Sequence, residues 1–344
     1  MHAMRLVLFS ALVILSLGQA HAQIALYPIV EEERYGFIDR NGDERVAPTY
    51  ERALPSGASG LAPVRQDGKW GFIDVSGAWR IRPIYDEVYP FIDDRAIVQS
   101  NERWGIIDDA GKEVVPPQFL AIRTSDGQTF AVNTESSVRI LGLKISTRRE
   151  WGFIDKSGAW LLEPYYLDAL AFRDGRSAVK LPRKTFIVNI GTTWAYIDTA
   201  GQYVIPPGIR SARSFSEERA FVVSGDERKY ISPSGEVIFT TSAERAFEYS
   251  DKRARFMSDG KWGYYNLSGE IVITALFDQA QDFSEGLAAV KDDTMWGYIN
   301  TSGEWIIAAQ YDRVWPYAQG LARVVKQGIV SYIDTSGSVI WTSQ

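Results

Sequence analysis

A block of aromatic, small, aromatic, Ile, Asp, two variable residues and Gly returns nine times along the 344 residues, ending at Gly42, Gly77, Gly111, Gly158, Gly201, Gly235, Gly269, Gly303 and Gly337. The intervals are 35, 34, 47, 43, 34, 34, 34 and 34 residues. A unit that short cannot bury its own apolar face, so the units must pack on one another to make a core. Length alone argues for roughly two domains; the period replaces that with a single array over residues 23–344.

Within a unit the side-chain period is two. Trp70-Gly71-Phe72-Ile73-Asp74 places Trp70 and Phe72 on one face of a strand and Ile73 on the other. Asp74-Val75-Ser76-Gly77 reads as a turn, with a side-chain acceptor first and a glycine free to take positive φ at the fourth position. The nine occupants of that first position, Asp39, Asp74, Asp108, Asp155, Asp198, Ser232, Asn266, Asn300 and Asp334, are all turn formers. A second apolar strand follows, as in Trp160-Leu161-Leu162. Pro48, Pro83, Pro117, Pro164 and Pro207 sit six residues after the repeat glycine, where a missing amide donor marks a strand end or an edge. A third strand, as in Leu287-Ala288-Ala289-Val290, precedes the next Trp. Three strands of five or six residues and their turns fill about 34 positions without room for a substantial helix.

The copies Trp70-Gly71, Trp104-Gly105, Trp151-Gly152, Trp262-Gly263 and Trp296-Gly297 resemble the WG-repeat family of bacterial proteins over essentially residues 24–344. The resemblance implies a repeat array and no common biochemical activity. The expected architecture is all-β: nine three-stranded antiparallel units in an open, twisted β-solenoid. The alternative is a closed propeller-like ring, set second because propellers usually have 4–8 blades of four strands. The first unit, with Tyr35 for Trp, and the last, with Val330-Ser331, read as caps. The sixth, Arg228-Lys229-Tyr230, lacks both Trp and Gly and is expected to be a bend or a weak interface.

Several chemistries are excluded by composition. Cysteine is absent, and the two histidines are His2 and His21. Residues 1–22 have the form of a secretory signal peptide, with Arg5, an apolar run from Leu6 to Leu17 and Ala20-His21-Ala22 before the cleavage point. Its removal leaves no histidine, hence no serine–histidine triad and no histidine-ligated zinc. The mature chain is expected to be exported, periplasmic or extracellular, without a membrane span. The full chain has 37 basic against 43 acidic residues and the leader removes only Arg5, so it lacks the positive charge that displaces counterions from phosphate, and nucleic acid is set aside.

The expected function is a non-catalytic binding scaffold, without cofactor or metal, recognising a protein or an anionic cell-envelope component. The competing reading is a carboxylate-based hydrolase of envelope polysaccharide, but no pair of aspartates stands out from the repeated turn positions. The stretch Asp39–Glu44 lacks the ligand spacing of a calcium loop. Trp70, Trp104, Trp151, Trp194, Trp262 and Trp296 read as structural repeat residues, as do Gly77, Gly111, Gly158, Gly201, Gly269 and Gly303. The long intervals come from insertions near 123–149 and 182–193, at equivalent places in adjacent units, where they project from one side. They carry Arg139, Lys144, Arg148, Arg149, Arg183 and Lys184, the candidate patch for an anionic partner. If the tryptophans are core, Trp262→Ala costs about 3–5 kcal/mol in denaturant unfolding; full retention of stability would mean exposed rings.

Overall fold

The computed structural model describes residues 25–57, 59–140, 143–185 and 188–343, with side chains left out at 137–145 and 183–190. The signal peptide read over residues 1–22 lies outside the described residues. Among these the chain is all strand and turn, without a helix. It forms nine antiparallel sheets in chain order, blades 1 to 9: residues 27–50, 52–85, 87–119, 121–166, 168–209, 211–241, 245–277, 279–311 and 313–342.

Blade 2 shows the plan. An inner strand of two residues, Arg52–Ala53, pairs with Ala62–Gln66; that strand pairs with the Trp strand Lys69–Ile73, which pairs with the outer strand Trp79–Tyr85. The sequence unit of three strands was therefore short by one and cut in the wrong place. Its third strand belongs to the next blade, and a single residue, Asp86, joins the outer strand of blade 2 to the inner strand of blade 3 at Glu87. Two residues are too few to show alternation. Blades 2 to 9 follow this order; among the described residues blade 1 has only Tyr27–Glu31, Arg34–Ile38 and Glu44–Tyr50.

The Trp-Gly glycine has a geometric cause. The outer strand bulges against it: Trp70 pairs with Tyr85 but Phe72 with Ile81, so the segment holding Pro83 crowds Gly71. A Cβ on Gly71 would lie 2.5 Å from the Ile81 carbonyl oxygen, and one on Gly263 2.4 Å from that of Ile273. Where Lys229 or Ser331 replaces the glycine, the bulge at that position is gone and pairing runs one to one, Lys229 with Thr240 and Tyr332 with Trp341. The proline falls on the outer edge strand, the position its missing donor permits.

The array closes on itself, which overturns the solenoid and establishes the ring that stood second. At the interfaces between blades, a ring on the Trp strand meets the edge of a ring from the next blade: Phe72 with Phe91, Phe153 with Phe172, Tyr196 with Phe215, Tyr230 with Tyr249, Tyr264 with Phe283 and Tyr298 with Tyr317, centroids 4.7–5.3 Å apart. Tyr332 of blade 9 makes the same contact with Tyr27 of blade 1, at 5.7 Å. The hydroxyls of Tyr196, Tyr230, Tyr264 and Tyr298 donate to backbone carbonyls of the following blade at 2.6–2.8 Å. Tyr332 donates to the Pro28 carbonyl at 2.8 Å. In other blades the carbonyl equivalent to Pro28 receives an N–H from the inner-strand segment, as Pro63 does from Leu54. The Tyr332 hydroxyl thus stands in for a backbone donor at the seam. Tyr27 donates to the Gln319 carbonyl, and Gln319 to that of Ser56. Since the end blades pack on each other, the capping role expected of them does not arise.

The turns also bind blade to blade. The repeat glycines have φ of 79–88°, and each backs onto the preceding blade: Gly77 on Val46, Gly111 on Ile81, Gly303 on Ile273 and, across the seam, Gly42 on Ile340. The aspartates behave as turn acceptors. Asp74 Oδ1 accepts the amides of Ser76 and Ala78 at 2.9 and 3.2 Å and the Ser76 hydroxyl at 2.6 Å; Asp155 and Asp334 repeat the arrangement. The serine hydroxyl leads in lowering the pKa of all three, helped by the backbone amides.

The tryptophans divide. Trp70 and Trp151 are buried, at 5% and 7% exposure, as the core reading requires. Trp104, Trp194, Trp262 and Trp296 are half-buried, with Trp104 against Tyr89 and Trp262 against Phe247. The truncation cost for Trp262 accordingly moves to the low end of the expected range. The sixth unit is not left open by its missing Trp, for Tyr230 stacks on Phe239 at 4.7 Å within a cluster that includes Phe221 and Tyr249.

Two outcomes follow. Tyr332→Phe should lower stability by about 1–3 kcal/mol in urea unfolding, comparable to Tyr298→Phe inside the ring; no loss at all would show that the seam does not need the hydroxyl. Carboxylates with depressed pKa add stability above their unfolded value, near 4, and lose it as pH falls through the folded value. The melting temperature should therefore drop below about pH 4, and the triple variant Asp74→Asn, Asp155→Asn, Asp334→Asn should flatten that acid limb. An unchanged acid limb would remove these turns from the pH response.

Candidate functional site

Strand register gives the ring two distinct faces. In blade 8, Leu287 pairs with Asn300 at one end and Asp292 with Met295 at the other. The Asx turns lie on the first face, and the hairpins between the second strand and the Trp strand lie on the opposite one. Blades 4 and 5 break the regularity on that hairpin face. Thr129–Ile140 pairs with Leu143–Asp155, and Arg176–Thr185 with Val188–Asp198, so the insertions lengthen two neighbouring hairpins.

The six candidate cations occupy those hairpins. Arg139 pairs in register with Lys144 near the first tip, and Arg183 and Lys184 pair with Gly191 and Asn189 near the second; the side chains of these four cations lie outside the described residues. Arg148 and Arg149 are exposed and face Glu150 and Glu135, each at 3.7 Å. Such open pairs contribute little and are screened by salt. At the base of the second hairpin, Pro182, Thr193, Pro207, Arg210 and Asp226 border a cleft of about 570 Å³. The rim of blade 4 exposes Trp160, Leu161, Tyr165 and Leu167 by 39–62%, with Tyr203 of blade 5 at 51%.

The turn face holds a second feature, which sequence reasoning missed. Each inner strand runs toward this face and ends in a loop, and equivalent loops of five successive blades border one cavity of about 630 Å³. Equivalent positions of successive blades converge only around the axis, so this is the axial opening and the first strand of each of these blades is innermost. Its charged lining comprises Arg123, Arg173, Glu217, Glu248, Asp251 and Asp282. Asp174, Glu217, Asp251 and Glu285 adopt φ of 50–55°, an uncommon region for residues with a side chain. Each lends its carboxylate to an amide of the next blade: Glu218, Lys252, Gly286 and Gly320, at 2.7–3.0 Å. The 34-residue spacing of Glu217, Asp251 and Glu285 was the available signal.

Arginines extend this lattice. Arg176, Arg219 and Arg253 each donate through Nε to a turn carbonyl of the next blade, those of Pro233, Leu267 and Thr301, at 2.9–3.0 Å. The guanidinium of Arg123 lies 4.1 Å from the Trp151 ring centre, and those of Arg213 and Arg255 lie over Phe247 at 4.5 and 4.0 Å. Among the described residues no three His, Cys, Asp or Glu gather as a metal would need, and no helix is long and apolar enough to cross a membrane.

Comparisons with known proteins agree with this architecture. A solved structure of a eukaryotic initiation factor superposes with a TM-score of 0.63 at 11% identity, covering 93% of this chain and 96% of that one. Apo AztD from Citrobacter koseri is similar over 93% and 94%, with a TM-score of 0.44 at 11% identity. The first likeness, at such identity, concerns the fold alone. None of the curated proteins matches the chain in sequence. The family model described as WG containing repeat matches residues 35–70, 70–104, 104–127, 151–181, 194–227, 262–293 and 296–328. Its repeats are the units that build this nine-bladed ring, and the chain belongs to the WG containing repeat family.

Proposed function

We propose that this ring is a non-catalytic binding scaffold of the cell envelope, exported by its leader, which holds an anionic envelope component on the hairpin face of blades 4 and 5. The observation that carries the reading is the lengthening of the same hairpin in two adjacent blades, with Arg139, Lys144, Arg183 and Lys184 near the tips and Arg148 and Arg149 on the first arm. Loops on a rigid scaffold are where recognition concentrates. The exposed ring of Tyr165, beside the Trp151–Tyr166 pair at the hairpin end of blade 4, gives that face apolar contact area, which a spacer without a ligand would not need. The use of Asp74, Asp155 and Asp334 as turn acceptors weighs for a scaffold and against a hydrolase built on those carboxylates.

Replacing all six cations with Ser should reduce retention of the protein on envelope fractions at least tenfold at low salt, and moderate salt should do the same to the parent. Equal, salt-insensitive retention of both forms would exclude the patch. Loss of retention after protease treatment of the fractions would identify the partner as an acidic protein rather than a polymer.

A further inference from the structure

The axial cavity on the turn face has separated charge. Blades 4 and 5 contribute Arg123 and Arg173; blades 6, 7 and 8 contribute Glu217, Glu248, Asp251 and Asp282. Arg123 is held from two sides: its Nη1 donates to Asp168 and to the Ala169 carbonyl at 2.7 Å, and its plane lies against Trp151. Arg173 is exposed and has no carboxylate within ion-pair distance among the described residues. On the other bank Glu248 meets Arg213 at 3.5 Å, Asp282 accepts from Arg255 at 2.7 Å, and Asp251 accepts the Gly286 amide at 2.7 Å. One oxygen of each carboxylate is tied to the protein, which fixes the side chain, while a carboxylate has room for further donors on the other. Arg123 and the three tied carboxylates are thus oriented before any ligand arrives, which lowers the ordering cost of binding.

The geometry points to a ligand-binding site in this axial cavity for a short basic peptide, whose terminal carboxylate meets Arg123 and Arg173 and whose ammonium groups meet the acidic bank of blades 6 to 8. With Glu248, Asp282 and Arg123 already in ion pairs, Glu217 and Asp251 stand against Arg173 as the lining charges outside any described ion pair, a balance that selects net positive charge over a neutral or acidic peptide. A volume of about 630 Å³ suits a dipeptide, within the several hundred Å³ usual for small-molecule sites. This site is on the face opposite the extended hairpins and is independent of the envelope-binding reading.

Calorimetry on the full chain with lysyl-lysine, glutamyl-glutamate and spermidine tests the assignment. Lysyl-lysine is expected to bind saturably and more tightly than the other two, because glutamyl-glutamate meets like charge and spermidine has no carboxylate for the arginine bank. Arg173→Ser, at an exposed residue outside any described ion pair, should weaken lysyl-lysine binding at least tenfold with an unchanged melting temperature. Glu248→Gln should do likewise from the opposite bank. Absence of saturable binding, spermidine binding as tight as lysyl-lysine, or full affinity in Arg173→Ser would each overturn the site.

Discussion

The edge-to-face contact between an aromatic ring on one Trp strand and a ring offered by the following blade is the interaction on which the molecule depends. A four-stranded sheet of some 34 residues buries too little by itself to persist. It becomes stable when its neighbour covers one face, and the ring edge is the most specific part of that cover, since aromatic pairs favour tilted over face-to-face geometry. The tyrosine hydroxyls add direction. Tyr196, Tyr230, Tyr264 and Tyr298 each reach a carbonyl in the next blade, which sets how far one blade is rotated about its neighbour as well as how close it lies.

Around that contact the polar groups form a second lattice. Carboxylates held at positive φ and arginines bond forward to the next blade, and the Asx turns back onto the preceding one, so most side chains that look chemically active in the sequence serve to hold the ring together. Function is left to the places where the ninefold pattern is broken. Those places are the two long hairpins on one face and, on the other, an axial lining whose charges differ from blade to blade although the backbone does not.

Much of this was legible in the residues. The period, the Asx turns, the outer-edge prolines and the all-β composition each have a local cause and were read from Asp74, Gly77 or Pro83 alone. Closure was not, because a 34-residue period is the same in a line and in a circle; the curvature lies in the angle at which Phe72 meets Phe91, which no spacing records. The inner strand escaped because Arg52–Ala53 is too short to alternate. The tryptophans looked uniform, yet Trp70 is buried and Trp262 is not, since coverage depends on which residue the neighbouring loop happens to bring. The six cations lie on the two long hairpins, and nothing linear indicated that Arg148 and Arg149 would face Glu150 and Glu135.

The seam between blades 9 and 1 bears on how such a molecule changes its size. Among the described residues no strand is shared across it: blade 1 is built from the first part of the chain and blade 9 from the last, and they meet through Tyr332, Tyr27, Pro28 and Gly42. A propeller fastened by a strand borrowed from its other end must keep both termini in one sheet whenever a module is duplicated or lost. Among the described residues that obligation is absent. Duplication or deletion of one 34-residue segment would leave every remaining sheet whole, and its cost would fall on the angle between blades, which every interface would have to share before the circle could shut again.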